Sequence, residues 1–431
     1  MSKEENRKNF SKYVSQNILG MIGFSCYVLA DSYFISIAKG ADGLTALNLV
    51  MPLYSIIFSI GEMIGVGSAI RYAISKIKKD ADADDYFWNA IIWCIMSSRI
   101  FVFAGIFFSS DIMRVLGADE HIVAVGNNYT KIFMCFAPMF MCNYVTNAFV
   151  RNDGAPGIAM SATLFSSLFN IVFDYILMFP MNLGMEGAAL ATALSPIIGM
   201  GICSIHFFSK KSSVRLVVCK PSVRKLVAGS QLGVSAFVGE MSSAVITLAF
   251  NFVILKLTGN VGVAAYGVVA NIAIVTTAVF NGVAQGSQPL ISSCFGRGDK
   301  DGCTQLKRMG YTTAFVLAAV MYSILFIFAE QFVAVFNSEG SEMLRLYATE
   351  GVKLYFIGIF FAGINIVGGG AFSATEDAFK AAVVSVARGF VLILGAVFVM
   401  SALFGMTGVW LAYAVAEGIT TFIMLVMALR V

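Results

Sequence analysis

The chain has 431 residues, of which 58% are hydrophobic and only 13% charged, with a mean hydropathy of +0.82. Soluble domains carry about 25% charged residues, so water cannot be the main solvent here and no soluble domain is expected. The net charge of +4 is too small to suggest a nucleic-acid partner, and none is expected; the informative quantity is where the charges fall.

From the N-terminus, Met1 to Lys12 is polar and charged, so no cleavable signal peptide is expected. Polar punctuation then cuts the chain into segments of the roughly 20 apolar residues needed to cross a bilayer. Spans are expected at 14–38, 44–74, 86–108, 124–150, 157–179 and 186–208, and again at 227–256, 262–294, 309–333, 347–372, 381–403 and 407–429. The fold class is therefore all-α integral membrane, with twelve transmembrane helices. Forty glycines and 38 phenylalanines suit helices that pack closely and turn bulky side chains to lipid. Six of the eight cysteines lie in apolar stretches and the others, Cys219 and Cys303, in basic loops; no spacing suggests zinc or a disulfide framework.

Basic residues are retained on the cytoplasmic side during insertion. One side of the expected topology carries 21 Lys and Arg, the other only Lys39, Arg114, Lys256, Arg345 and Lys353. Both termini are therefore expected in the cytoplasm, together with the basic linker from Lys210 to Lys225 at the midpoint of the chain. Short loops and no appended domain suggest a bacterial cytoplasmic membrane and a monomer in a lipid bilayer.

The two sets of six spans are copies. MIGVGSAIRYAISKIKKDADA from Met63 lies over GVAQGSQPLISSCFGRGDKDG from Gly282, pairing Gly67 with Gly286 at an offset of 219; Phe108 pairs with Phe328 at 220; and GMEGAALA at Gly184 pairs with GMTGVWLA at Gly405 at 221. An even number of spans per copy gives both halves one orientation, a parallel repeat of the kind secondary transporters use. The expected lobes are residues 1–212 and 213–431, with the substrate path between them.

Ionisable groups at membrane depth are costly and mark functional positions. The candidates are Asp31, Asp174, Glu240 and Glu417, with Arg99 and Arg388, and Glu62 as an ambiguous case; for each the alternative is a helix-end residue snorkelling to the interface or a structural polar pair. Asn170 and Asp174 in FNIVFDY are four residues apart and share a helical face. Thr192 and Ser195 follow in the next span, and Asp31 can complete an all-oxygen site for a hard cation, or an acid pair that shares a proton. Sodium and a proton remain open at this point. The repeat places Val391 and Gly395 opposite Asn170 and Asp174, so this site is expected only in the first half.

The chain resembles the multidrug and toxic compound extrusion (MATE) transporters over essentially its full length. The resemblance rests on VLADSYFISIAKGADGLTALNLVMPL, FVRNDGAPGIAMSATLFSSLFNIVFDYILMF, GMEGAALATALS, and VAAYGVV with FNGVAQGSQPLISSCFGRG. It implies a V-shaped, two-lobed antiporter that expels amphiphilic, often cationic, small molecules in exchange for Na+ or H+, with no cofactor. It also implies a coupling-cation site at Asp31, Asn170, Asp174 and Thr192, neighbouring tyrosines at Tyr27 and Tyr129, and a cavity acid at Glu240. The chain departs from the family pattern in two places. Gln16 stands where a proline is usual, so any bend of the first helix must come from Gly20 or Gly23, and Ile357 to Phe372 carries no acid. A lipid-linked oligosaccharide flippase of the same superfamily is the alternative, but its pyrophosphate cargo calls for positive charge where the intramembrane groups here are mainly acidic. An intramembrane enzyme is not expected, because the two histidines, His121 and His206, sit near span ends without a nucleophile or metal arrangement.

Overall fold

The computed structural model describes residues 3–337 and 340–429, nearly all of them helical. The helices are α1 Lys3–Gly40, α2 Asp42–Lys78, α3 Asp85–Val115, α4 Glu120–Cys135 with Ala137–Asn152, α5 Pro156–Met178 and α6 Gly184–Phe207. The second half has α7 and α8 within Val223–Gly296, α9 Lys300–Ile327, α10 Glu342–Ala374, and α11 and α12 within Ala378–Ala428. Each expected span thus falls on helix among the described residues, although 124–150 is broken between Cys135 and Ala137 and 309–333 is divided between Lys300–Ile327 and Ala329–Phe336.

The helix breaks have local causes. α1 turns into α2 at Gly40 (φ 59°), α7 into α8 at Gly259 (φ 68°), and α11 into α12 at Gly405 (φ 58°). Only glycine takes a positive φ without steric cost. Gly40 and Gly259 are repeat mates at the offset of 219, and Gly405 matches Gly184, which also has a positive φ (53°). The duplication is thus visible in the backbone as well as in residue identities. α4 bends by 46° where Pro138 opens its second piece, since proline removes a helical hydrogen bond and clashes with the preceding turn. Asp119, Ser222 and Ser341 cap the starts of α4, α7 and α10 with side-chain oxygens. α1 runs continuously through Gly20 and Gly23, which instead let it lie against Met160 and Leu164 of α5.

Two hydrophobic cores form. One gathers buried residues between Ile35 and Leu232, and the other those between Phe250 and Ala416, with Phe10 and Val14 of α1 crossing over to join it. Ile100, Phe107 and Phe422 stay exposed on the outer faces of α3 and α12, as lipid-facing side chains must. Between the halves the backbones approach closely. A Cβ at Gly67 would sit 2.1 Å from the Gly229 carbonyl, one at Gly233 2.0 Å from the Met63 carbonyl, and one at Gly286 2.7 Å from Val14 Cα.

Among the described residues several ion pairs join the halves. Arg71 pairs with Glu376, Lys78 Nζ lies 3.5 Å from the same carboxylate, and Lys225 pairs with Asp85. The segment between α6 and α7 is extended and docked: Asp153 accepts from His206 Nε2 (2.8 Å) and Ser213 N (2.9 Å), and Asn89 Oδ1 accepts from Ser222 N (2.7 Å).

Candidate functional site

The sequence-expected residues divide between two places. Asp31 of α1, Asn170 and Asp174 of α5, Thr192 of α6 and Tyr129 of α4 form a buried cluster inside the first half, with Asp31 6% exposed and Asn170 and Asp174 fully buried. The spacing of four on α5 does put Asn170 and Asp174 on one face, against α6. Oriented to satisfy both neighbours, the Asn170 amide donates to Asp174 Oδ2 (3.1 Å), while its oxygen accepts from Thr192 Oγ1 (3.1 Å). Turned over, its nitrogen donates to the same hydroxyl at 3.1 Å. A hydroxyl both donates and accepts, so Thr192 holds the amide either way and Asn170 can offer Asp174 a donor or a cation an oxygen.

Asp31 and Asp174 lie within electrostatic reach of each other, and Oδ1 of each is buried with no hydrogen-bond partner. Tyr129 hydrogen bonds to Tyr54, whose ring stacks on Phe133 at 3.6 Å. Among the described residues no group of three or more His, Cys, Asp or Glu side chains is placed to hold a metal ion. A cation here would therefore be held by two carboxylates with amide and hydroxyl oxygens.

Tyr27 and Glu240 line a cavity of about 230 Å³ between the two halves. Tyr27 is within electrostatic reach of Asp31, Asp174 and Glu240, so it bridges cluster and cavity. Among the cavity residues not singled out from the sequence, Asn17, Arg151 and Gln285 are linked by hydrogen bonds. Arg151 looked like a loop cation but is 4% exposed; it donates to Gln285 Oε1 (2.6 Å) and Asn17 Oδ1 (3.4 Å), and Gln285 Nε2 donates to Glu62 Oε1 (3.3 Å). The available signal was Gln285 itself, a long amide inside an apolar, glycine-rich run.

Glu417 and Arg388 are one another's partners, with Arg388 Nη2 2.6 Å from Glu417 Oε1. Asn365 of α10 donates to Glu417 Oε2 (2.7 Å) and accepts from Thr421 (3.0 Å). Arg388 belongs to a π-helical turn, Ala387–Val391, a feature frequent at functional sites. This network lies in the second half, where the Ile357 to Phe372 stretch of α10 carries no acid and contributes Asn365 instead. Arg99 is exposed on α3 and takes part in neither site.

Two repeated six-helix halves around a polar cavity, with charges at membrane depth, define a membrane transporter and not an enzyme. The sequence pattern of the MatE family matches residues 17–176 and 236–399, and the chain belongs to that family. The multidrug export protein MepA of Staphylococcus aureus (strain MRSA252) is 27% identical over 414 residues, 93% of this chain and 89% of the relative. MepA of Staphylococcus saprophyticus is 26% identical over 410 residues with the same coverage. Among solved structures, an outward-facing multidrug resistance MATE family transporter superposes with a TM-score of 0.92 at 20% identity, over 99% of this chain and 96% of that one. A MOP superfamily transporter from Pyrococcus furiosus, described as having a binding pocket of reverse polarity, superposes with a TM-score of 0.91 at 19% identity, over 99% and 95%. These likenesses establish the fold of twelve helices in two lobes and a place in a cell membrane.

Proposed function

We propose that this protein is a secondary antiporter that exports amphiphilic, cationic small molecules in exchange for Na+ or H+. The observation that carries the reading is the charge inventory of the cavity. Arg151 and Arg388 line it, but Arg151 is bonded to Gln285 and Asn17 and Arg388 to Glu417. Glu62 and Glu240 line it with no ion-pair partner among the described residues. Arg151 is hydrogen bonded only to amides and keeps its charge, so Glu62 and Glu240 stand against one unpaired guanidinium and, with both carboxylates ionised, the cavity is negative by one, which favours cationic cargo over a pyrophosphate-linked one. The kinship with multidrug export proteins agrees. The buried cluster around Asp31 and Asp174 supplies the second site that antiport requires, so that cargo and ion bias one two-state element in opposite senses. Dye efflux from proteoliposomes under separately imposed sodium and proton gradients tests the reading. Efflux driven by neither gradient overturns it.

Glu240→Gln is expected to lower affinity for cationic cargo by about tenfold, the effect of losing one charged contact in a weakly screened site, while neutral cargo changes little. Binding titrations with one cationic and one neutral dye check this. Equal losses would assign Glu240 a structural role.

The reading also places the termini and the 210–225 linker in the cytoplasm, following the charge asymmetry. In a background without native cysteines, Val218→Cys, an exposed linker position (75%), is expected to resist an impermeant thiol reagent added to intact cells and to react after permeabilisation. Labelling from outside would reverse the topology.

A further inference from the structure

Glu62 has no role in the reading above beyond its charge, yet its surroundings are unlike those of a structural carboxylate. It is 8% exposed, and its only hydrogen bond among the described residues is a 3.3 Å contact from the Gln285 amide. It stands within electrostatic reach of Glu240. Glu62 belongs to α2 and Glu240 to α7, so like charges face each other from opposite halves across the cavity. Arg151 is in electrostatic reach of Glu62, but its Nη1 is committed to Gln285 and Asn17. Two carboxylates against the single guanidinium of Arg151, whose partners are neutral amides, leave one negative charge for a positive ligand in a dehydrated site.

The repeat sharpens the point. The offset of 219 carries Glu62 onto Asn281, which also lines the cavity. The position faces the cavity in both halves, but only the first half places a charge there. Packing alone gives no reason for a carboxylate in one copy and an amide in the other at a position that lines the cavity in both.

Glu62 is also the end of a chain that crosses the seam. Asn17, Glu62 and Arg151 come from α1, α2 and α4, while Gln285 comes from α8, and all four line the cavity. The bonds from Arg151 to Gln285 and from Gln285 to Glu62 therefore join the two halves, as the Arg71–Glu376 pair also does.

Building on the cationic-cargo reading, we propose that Glu62 is a second cargo-binding carboxylate that reports occupancy to the seam. A cation held between Glu62 and Glu240 draws Glu62 off Gln285 and loosens the Gln285–Arg151–Asn17 chain that keeps the halves closed. The ligand class is an amphiphilic cation with its charge able to reach both carboxylates.

The test uses the full chain in nanodiscs, with native cysteines replaced and spin labels at Lys210 and Thr304, exposed residues of the two halves. Ethidium serves as probe. In the otherwise unaltered protein, ethidium binds and lengthens the distance between the labels. Glu62→Gln, which keeps shape and hydrogen bonding but loses charge, should bind ethidium roughly tenfold or more weakly and show no lengthening at saturation. Glu62→Asp should recover part of both. Gln285→Leu, which removes the bond that competes with ethidium for Glu62, should populate the long distance before ethidium is added and bind ethidium more tightly than the unaltered protein, whereas weaker binding together with an unchanged distance would overturn the proposal. Unchanged affinity in Glu62→Gln, or full lengthening once that variant is saturated, overturns the proposal. Absence of ethidium binding in the unaltered protein overturns the cationic-cargo reading first, so the two failures are distinguishable.

Discussion

Asp31→Asn combined with Asp174→Asn is expected to abolish gradient-driven efflux while leaving a folded, inserted protein. The two carboxylates come from α1 and α5, are almost wholly buried, and each leaves one oxygen without a hydrogen-bond partner. In such surroundings their mutual repulsion is weakly screened. On the antiport proposal a bound Na+ or proton would cancel it, so that the cation-bound and cation-free states would differ in how α1 sits against α5. A ligand shifts an equilibrium only by its differential affinity for the two states. Asparagine keeps the shape and most of the hydrogen bonding but removes the charge, and with it that difference. Ethidium efflux from proteoliposomes should fall to the level of protein-free vesicles, with an unchanged gel-filtration profile. Each single variant should do the same, because one carboxylate alone has no repulsion to relieve. Substitutions at the repeat-related Val391, which is 64% exposed and outside the cavity lining, should leave coupling intact. Normal coupled efflux by the well-expressed double variant would eliminate this site as the coupling element.

Glu417→Ala is expected to be the most destabilising single change in the second half. Arg388 reaches Glu417 through Nε and Nη2, and its side chain is only 16% exposed. Removing one partner of a buried ion pair costs about 3–5 kcal/mol, because the other charge is left uncompensated. Here the loss also strips Asn365 of its 2.7 Å acceptor, so α10, α11 and α12 lose their shared polar centre. Thermal unfolding in detergent should show a clear drop in midpoint for Glu417→Ala. The double variant Arg388→Leu, Glu417→Leu should recover much of it, since replacing a whole buried pair by apolar residues is often nearly neutral. A Glu417→Ala protein with unaltered midpoint would show that Arg388 finds its counter-charge elsewhere.

Membrane insertion, span number and duplication were legible in the sequence, because each is set by local chemistry. Twenty apolar residues must hydrogen bond to themselves in lipid, and a positive φ at Gly40, Gly259 and Gly405 needs only the missing Cβ. The Asn170 and Asp174 pair was legible for the same reason, since four residues make about one helical turn. Which charges are paired was not. Glu417 and Arg388 lie 29 residues apart and read as two independent candidates, yet they neutralise each other, whereas Glu62 read as ambiguous and has no ion-pair partner among the described residues. Arg151 read as a loop cation and is a buried member of the seam, 134 residues from Gln285. Pairing depends on which helices the two halves bring side by side, at distances where a few Å decide whether burying a charge is costly or compensated. The chain's local chemistry therefore determined the helices, and only their packing against one another decided which charges remain available to cargo.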